Sequence, residues 1–153
     1  MINFGFTAWG TPAPQGSKRH VGGGRMIESS KAVRPWRDAV KTAALAEMFL
    51  RLERDTGAPV FGRGVPVTLS VRFYMKRPVS HYGTGRNAGV LKPSAPFAPT
   101  WVPDLSKLVR STEDAITDAG VWHDDSQVVT TYARKLYARS APYAEIEITE
   151  VAP

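Results

Sequence analysis

Residues 103–129, PDLSKLVRSTEDAITDAGVWHDDSQVV, decide how the chain is read. Leu105, Leu108, Val109, Thr112, Ala115, Ile116 and Ala119 recur at i, i+3, i+4 and i+7, which at about 100° per residue gathers them on one arc of a helix. Pro103 suits a first turn, Asp104 is favoured at the positive end of the helix dipole, and Gly120 stands where a left-handed residue ends a helix. Lys107, Arg110, Asp114 and Asp118 fall on the opposite arc, which faces solvent or substrate. The helix thus carries one carboxylate at its start, Asp104, and a pair just past its stop, Asp124 and Asp125. Together they are a candidate metal site, although spacing alone leaves open whether the second group folds back to reach the first.

Downstream, residues 127–137 set Val128, Thr130, Tyr132, Arg134 and Leu136 against Val129, Thr131, Ala133, Lys135 and Tyr137, the period of a strand. After a turn at residues 139–142, Ala144, Ile146 and Ile148 alternate with Glu145, Glu147 and Thr149, and the two runs predict a terminal antiparallel hairpin. Upstream, Val67, Leu69, Val71, Phe73 and Met75 alternate with Thr68, Ser70, Arg72 and Tyr74, as a central strand over residues 65–75 would. Ile2, Phe4, Phe6 and Ala8 mark an opening strand, and residues 26–29 a short return strand. A second helix is expected over residues 34–54, with Pro35 in its first turn and Trp36, Val40, Ala43, Ala44, Met48 and Leu52 as its buried stripe. Trp36 reads as a core anchor rather than a base-stacking platform. The expected fold is α+β, a single domain over residues 1–153 with a small mixed or antiparallel sheet packed against two main helices.

Composition narrows the chemistry. A chain of 153 residues with 42% hydrophobic content suits one domain with a real core. No apolar run reaches the roughly 18 residues of a membrane span, and the N-terminus enters a strand pattern rather than a signal peptide, so a soluble intracellular protein is expected. The absence of cysteine excludes disulfides and thiolate metal sites. Any metal must then be held by oxygen or imidazole, and carboxylates point to magnesium or manganese. A net charge of +6 favours a polyanionic partner, foremost nucleic acid.

Two loops carry much of that charge. The first, about residues 10–25, includes QGSKRHVGGGR, whose glycines permit close approach to a phosphate while Lys18, Arg19 and Arg25 supply cations. It lacks the spacing of a Walker loop and is either a phosphate-contacting arm or a solvated hairpin. The second, residues 76–102, holds Lys76, Arg77, Arg86 and Lys92 among prolines, glycines and serines, with no sustained period. Irregular segments of that length are functional or disordered. Its Tyr82, Phe97 and Trp101 either stack on bases or pack down locally. His123 beside the acidic pair is a solvated loop residue or a candidate ligand or proton carrier.

The run Pro103-Asp104-Leu105, then Leu108, Asp114-Ala115 and GVWHDDSQVV at residues 120–129, resembles the RusA family of Holliday junction resolvases. WGTPAPQGSKR at residues 9–19 is similar to that family's opening strand and basic loop, whereas residues 55–100 match only in character. The resemblance implies a cytoplasmic, bacterial or phage-encoded homodimer that makes paired symmetric nicks across a four-way DNA junction, using Mg2+ with Mn2+ as a substitute. The family's motif reads Asp-Leu-Asp-Asn-Leu-x-Lys, followed by an Asp-Asp near the helix end. Its first aspartate falls on Asp104, its later catalytic aspartate on Asp125 with Asp124 beside it, and its lysine on Arg110. Asp104 and Asp125 are therefore expected as metal ligands and catalytic residues, Asp124 as a further ligand, and Arg110 or Lys107 as the cation on the developing charge. Lys18, Arg19, Arg25, Lys76, Arg77 and Lys107 are expected to contact DNA. This reading requires Asp104 and the Asp124-Asp125 turn to converge around a divalent ion.

The chain departs from that pattern where the second aspartate is Ser106 and the asparagine is Lys107. Glu113 shares the azimuth of Ser106 but lies two turns, or about 10 Å, further along, too far to replace the missing ligand. The expectation is a site with fewer protein ligands, Ser106 binding through its hydroxyl or a water. The competing class is a branched- or single-stranded-DNA-binding protein whose acidic site is degenerate and non-catalytic.

Overall fold

The structure, a computed structural model, describes residues 1–16, 18–20, 23, 26–28, 31–52 and 58–152. The strands are β1 (Asn3–Trp9), β2 (Lys18–His20), β3 (Met26–Glu28), β4 (Val67–Met75), β5 (Val128–Tyr137) and β6 (Tyr143–Glu150), with helices α1 (Val33–Leu52) and α2 (Leu105–Ala119). Four strands form one mixed sheet in the order β1-β6-β4-β5, and β2 pairs with β3 in a separate small hairpin. This is the α+β architecture that the periodicities imply.

Alternation decides which face of the sheet is covered. Phe4 and Ala8 of β1, Ala144, Ile146 and Ile148 of β6, and Val67, Leu69, Val71 and Phe73 of β4 join one core with Trp36, Val40 and Ala44 of α1 and Leu108, Ala115 and Ile116 of α2. Both helices therefore lie on the same face. The other face stays open, with Tyr74 and Tyr143 stacked at 4.3 Å between ring centroids.

β4 is interior, as its alternation implies, but β5 and β6 do not form the expected hairpin: β4 lies between them, parallel to β5 and antiparallel to β6. Burial explains the choice. The apolar row of β6 is buried along its length and takes an interior position, while β5 exposes Val129 and Tyr132 at the sheet edge. The parallel β4–β5 pair needs a long crossover, and α2 supplies it.

α2 ends where Gly120 adopts φ 75° and returns its N–H to the last turn, the left-handed geometry that glycine adopts at least cost. Its buried arc is more polar than the hydrophobic reading implies, because Ser111 and Thr112 are both fully buried. Each is satisfied. Thr112 Oγ1 accepts from the indole Nε1 of Trp36 at 3.2 Å, joining the helices, and Ser111 Oγ donates to the Ala13 carbonyl at 2.6 Å. Thr112→Val would leave the indole N–H buried without a partner and is expected to cost about 1–3 kcal/mol in a denaturant melt. Thr112→Ser, which keeps the acceptor, should recover most of it.

Candidate active site

α2 places its charged residues in two groups, one at each end. Asp104 holds the N-cap position with extended backbone (φ −65°, ψ 137°), yet its carboxylate makes no capping bond to the helix. It instead accepts from Lys107 Nζ at 2.9 Å. That hydrogen bond, then the charge of Lys107, then that of Lys135, holds the Asp104 carboxyl below its ordinary range. Lys135 comes from β5, where its ammonium donates to the carbonyls of Trp101 at 2.7 Å and Pro103 at 3.0 Å. Arg110, one turn beyond Lys107, is exposed and has no ion pair among the described residues. Ser106 is exposed beside them.

The N-terminal segment reaches the same end. Besides the Ser111–Ala13 bond, Gln15 N–H donates to the Lys107 carbonyl at 3.1 Å, laying residues 13–15 along the first turns of α2. The chain then enters the β2–β3 hairpin, so Lys18 and Arg19 are carried out from the Asp104 end on the backbone. Arg25 lies outside the described residues. Lys76 is exposed, whereas Arg77 is turned inward, its guanidinium 3.8 Å from the Tyr137 ring centroid and donating to the Pro96 carbonyl at 3.0 Å. Arg77 therefore anchors its loop from below.

The other group sits past the stop of α2. Asp124 opens a short 3-10 turn (Asp125–Gln127) with a reciprocal capping box. Its side chain accepts from Ser126 N–H at 2.9 Å, and these bonds to Ser126 lower the Asp124 carboxyl below its ordinary range. Buried Gln127 completes the turn. Its amide oxygen accepts from the N–H groups of His123 and Asp124, and its amide nitrogen donates to the carbonyls of Gly62 and Val65. One side chain thus fastens the acidic turn to the loop before β4. Attention to carboxylates overlooks Gln127, though the Asp-x-x-Gln spacing of a capping box marks it. His123 is exposed with Nε2 2.7 Å from Arg63, and Asp125 is exposed beyond it.

Asp104 stands at the start of α2 and Asp125 past its stop. Asp125 acts electrostatically on half-buried Glu113, whose carboxyl is pushed up first by desolvation, then by Asp125 and Asp114. Glu113 lies nine residues from Asp104, about 13 Å of helical rise. Asp114 and Asp118, on the outer arc as expected, pair with Arg37 of α1 at 3.7 Å and 2.6 Å, and Asp118 stays exposed. Among the described residues, no group of three or more histidine, aspartate or glutamate side chains could hold a metal ion. The donors are hard oxygens of the kind magnesium takes, and one or two carboxylates completed by waters and a phosphate suffice for that ion. They fit an ion held at Asp104 or at the Asp124-Asp125 turn.

The raised Glu113 carboxyl has a consequence for stability. Its protonated form is favoured in the fold, so this contribution is present at low pH and is lost as pH rises through the folded value. In chelator at neutral pH, Glu113→Gln is therefore expected to raise the melting temperature by about 1–2 °C, with the gain vanishing on acidification.

Residues 10–149 match the family described as Endodeoxyribonuclease RusA, a span that includes both helices, the acidic turn, four of the six strands in full and all but the last residue of β6. No curated protein sequence matches the chain. Among the described residues no helix is long and apolar enough to cross a membrane. With all but the two ends of its 153 residues matched, the chain belongs to the RusA endodeoxyribonuclease family.

Proposed function

We propose that the protein is a divalent-metal-dependent endonuclease that resolves four-way DNA junctions as a homodimer, making one nick per copy, with Mg2+ as its ion and Mn2+ as a substitute. Membership of a nuclease family supports hydrolysis of DNA. The observation that carries the rest is an ionised carboxylate, Asp104, set beside Lys107 and Lys135 where the N-terminal segment also reaches α2. A carboxylate ringed by cations suits a phosphate-handling site, because the cations draw in the backbone while the carboxylate offers an oxygen donor.

In this reading Asp104 and Asp125, with Asp124 beside it, are the oxygen donors for the ion. When bound, the ion neutralises the scissile phosphate and makes a water nucleophilic. Arg110, which has no ion pair among the described residues, stabilises charge on a phosphoryl oxygen in this reading, and its planar fork suits that task. Lys107 has a double role. It holds Asp104 ionised before DNA arrives, and moves to the backbone when an ion takes the carboxylate. Lys18, Arg19, Arg25 and Lys76 contribute phosphate contacts.

In this reading Asp104 of one copy and Asp125 of the other serve one phosphate, which ties the homodimer to the chemistry. Asp104→Asn and Asp125→Asn are each expected to lower metal-dependent nicking of a synthetic junction on the order of 100-fold or more without weakening junction binding. Mixing the two inactive variants under subunit exchange is expected to restore single nicks, since half of each mixed dimer then joins an intact Asp104 to an intact Asp125. Failure of the mixture to recover any nicking would leave the site within one chain.

The Lys107–Asp104 ion pair also favours a second reading, a DNA-binding protein whose acidic site is neutralised and does not cleave. Tight, salt-sensitive junction binding with no nicking at any metal concentration would establish it.

A further inference from the structure

Residues 76–102 contain Lys76, Arg77, Arg86 and Lys92 and neither an aspartate nor a glutamate. The segment is built rather than loose. Two 3-10 turns, Val79–His81 and Gly85–Asn87, are joined by isolated bridges between Tyr82 and Leu91 and between Gly83 and Ala88. Lys92 adds bonds at the base, its N–H to the His81 carbonyl and its ammonium to the Ser80 carbonyl. Nearer the active site the loop is fastened by its main chain, with Arg77 on the Pro96 carbonyl and Lys135 on those of Trp101 and Pro103.

Its large apolar side chains are left out of that packing. Phe97 is 94% exposed, Trp101 73% and Val102 85%. Fixing the backbone by its carbonyls while leaving the rings in water gains nothing for folding, and large apolar side chains held out on an ordered loop fit an interaction site. The rings stand within seven residues of Asp104, on a segment that carries four cations and no carboxylate. A partner must therefore be anionic and must also offer flat apolar faces, and unpaired nucleotides do both.

We propose that Phe97 and Trp101, flanked by Val102, form a platform on which unpaired bases at the branch point stack, so that the enzyme reads an opened junction rather than a paired arm. The inference rests on the nuclease reading for its substrate and names the feature of that substrate which is recognised. Base stacking on an aromatic ring is sequence-tolerant, and the platform therefore selects DNA by its lack of pairing.

The test measures binding in chelator, so that its outcome does not depend on cleavage. Wild type, Phe97→Ala, Trp101→Ala and the double variant are titrated with a perfect duplex, the same duplex carrying a bulge of unpaired thymines, and a single strand. The double variant is expected to lose about tenfold or more in affinity for the bulged and single-stranded DNA and to keep its affinity for the duplex, with melting temperature unchanged because both rings are exposed. Equal losses on all three DNAs, or none, would overturn the proposal. So would a change of oligomeric state in the variants without the contrast, which would assign the rings to a second copy. Ring-dependent binding to vesicles of anionic lipid without the contrast would assign them to a membrane surface and also overturn it. If wild type shows the contrast but no nicking on addition of metal, the platform stands and the nuclease reading fails.

Discussion

Two hydroxyls buried at successive positions of α2 fix everything at the charged end of the molecule. Thr112 takes the indole proton of Trp36 and so sets α2 against α1. Ser111 holds the Ala13 carbonyl and so lays the N-terminal segment along α2 before it enters the basic hairpin. Neither residue has an apolar side chain, and each is tolerable in the core only because its polar atom is bonded. Alanine at either position would preserve the helix and lose the placement. Function thus depends on polar bonds buried within an otherwise apolar seam.

The same helix divides its outer arc between architecture and chemistry. Towards the C-terminal end, Asp114 and Asp118 share Arg37 and tie α2 to α1. Towards the N-terminal end, among the described residues, Asp104 forms its ion pair with Lys107 and Arg110 forms none. An exposed ion pair of this type adds little to stability. It keeps a carboxylate ionised and accessible amid cations, which suits a site that exchanges partners when a phosphate and an ion arrive. Gln127 plays the matching part at the far end, where four hydrogen bonds from one amide hold the acidic turn in a fixed shape.

Much of this was legible in the chain. The period of α2, its glycine stop and the alternation of β1, β4, β5 and β6 follow from local rules, because a side chain's burial on a helix or strand is set by its own spacing. Strand partnership is not local. β5 and β6 are consecutive and antiparallel in direction, yet β6, whose apolar row is buried along its length, belongs inside the sheet and β4 comes between them. The course of the chain past Asp125 was hidden for a related reason. A helix followed by a short loop invites the thought of return, but β5 begins at the C-terminal end of α2 and runs back from there. Arg37 and Lys135 were illegible as site neighbours because each sits on a different element from the carboxylate it influences.

The central claim is that Asp104, released from Lys107, is an oxygen donor to a catalytic divalent ion on a DNA-facing surface. Crystals grown with a four-way junction and Mn2+ test it most directly through the anomalous signal of manganese. The claim requires a peak at a coordination distance of about 2.2 Å from the Asp104 carboxylate, with the Lys107 ammonium moved onto a phosphate. A peak elsewhere, with the Lys107–Asp104 pair intact beneath bound DNA, would contradict it.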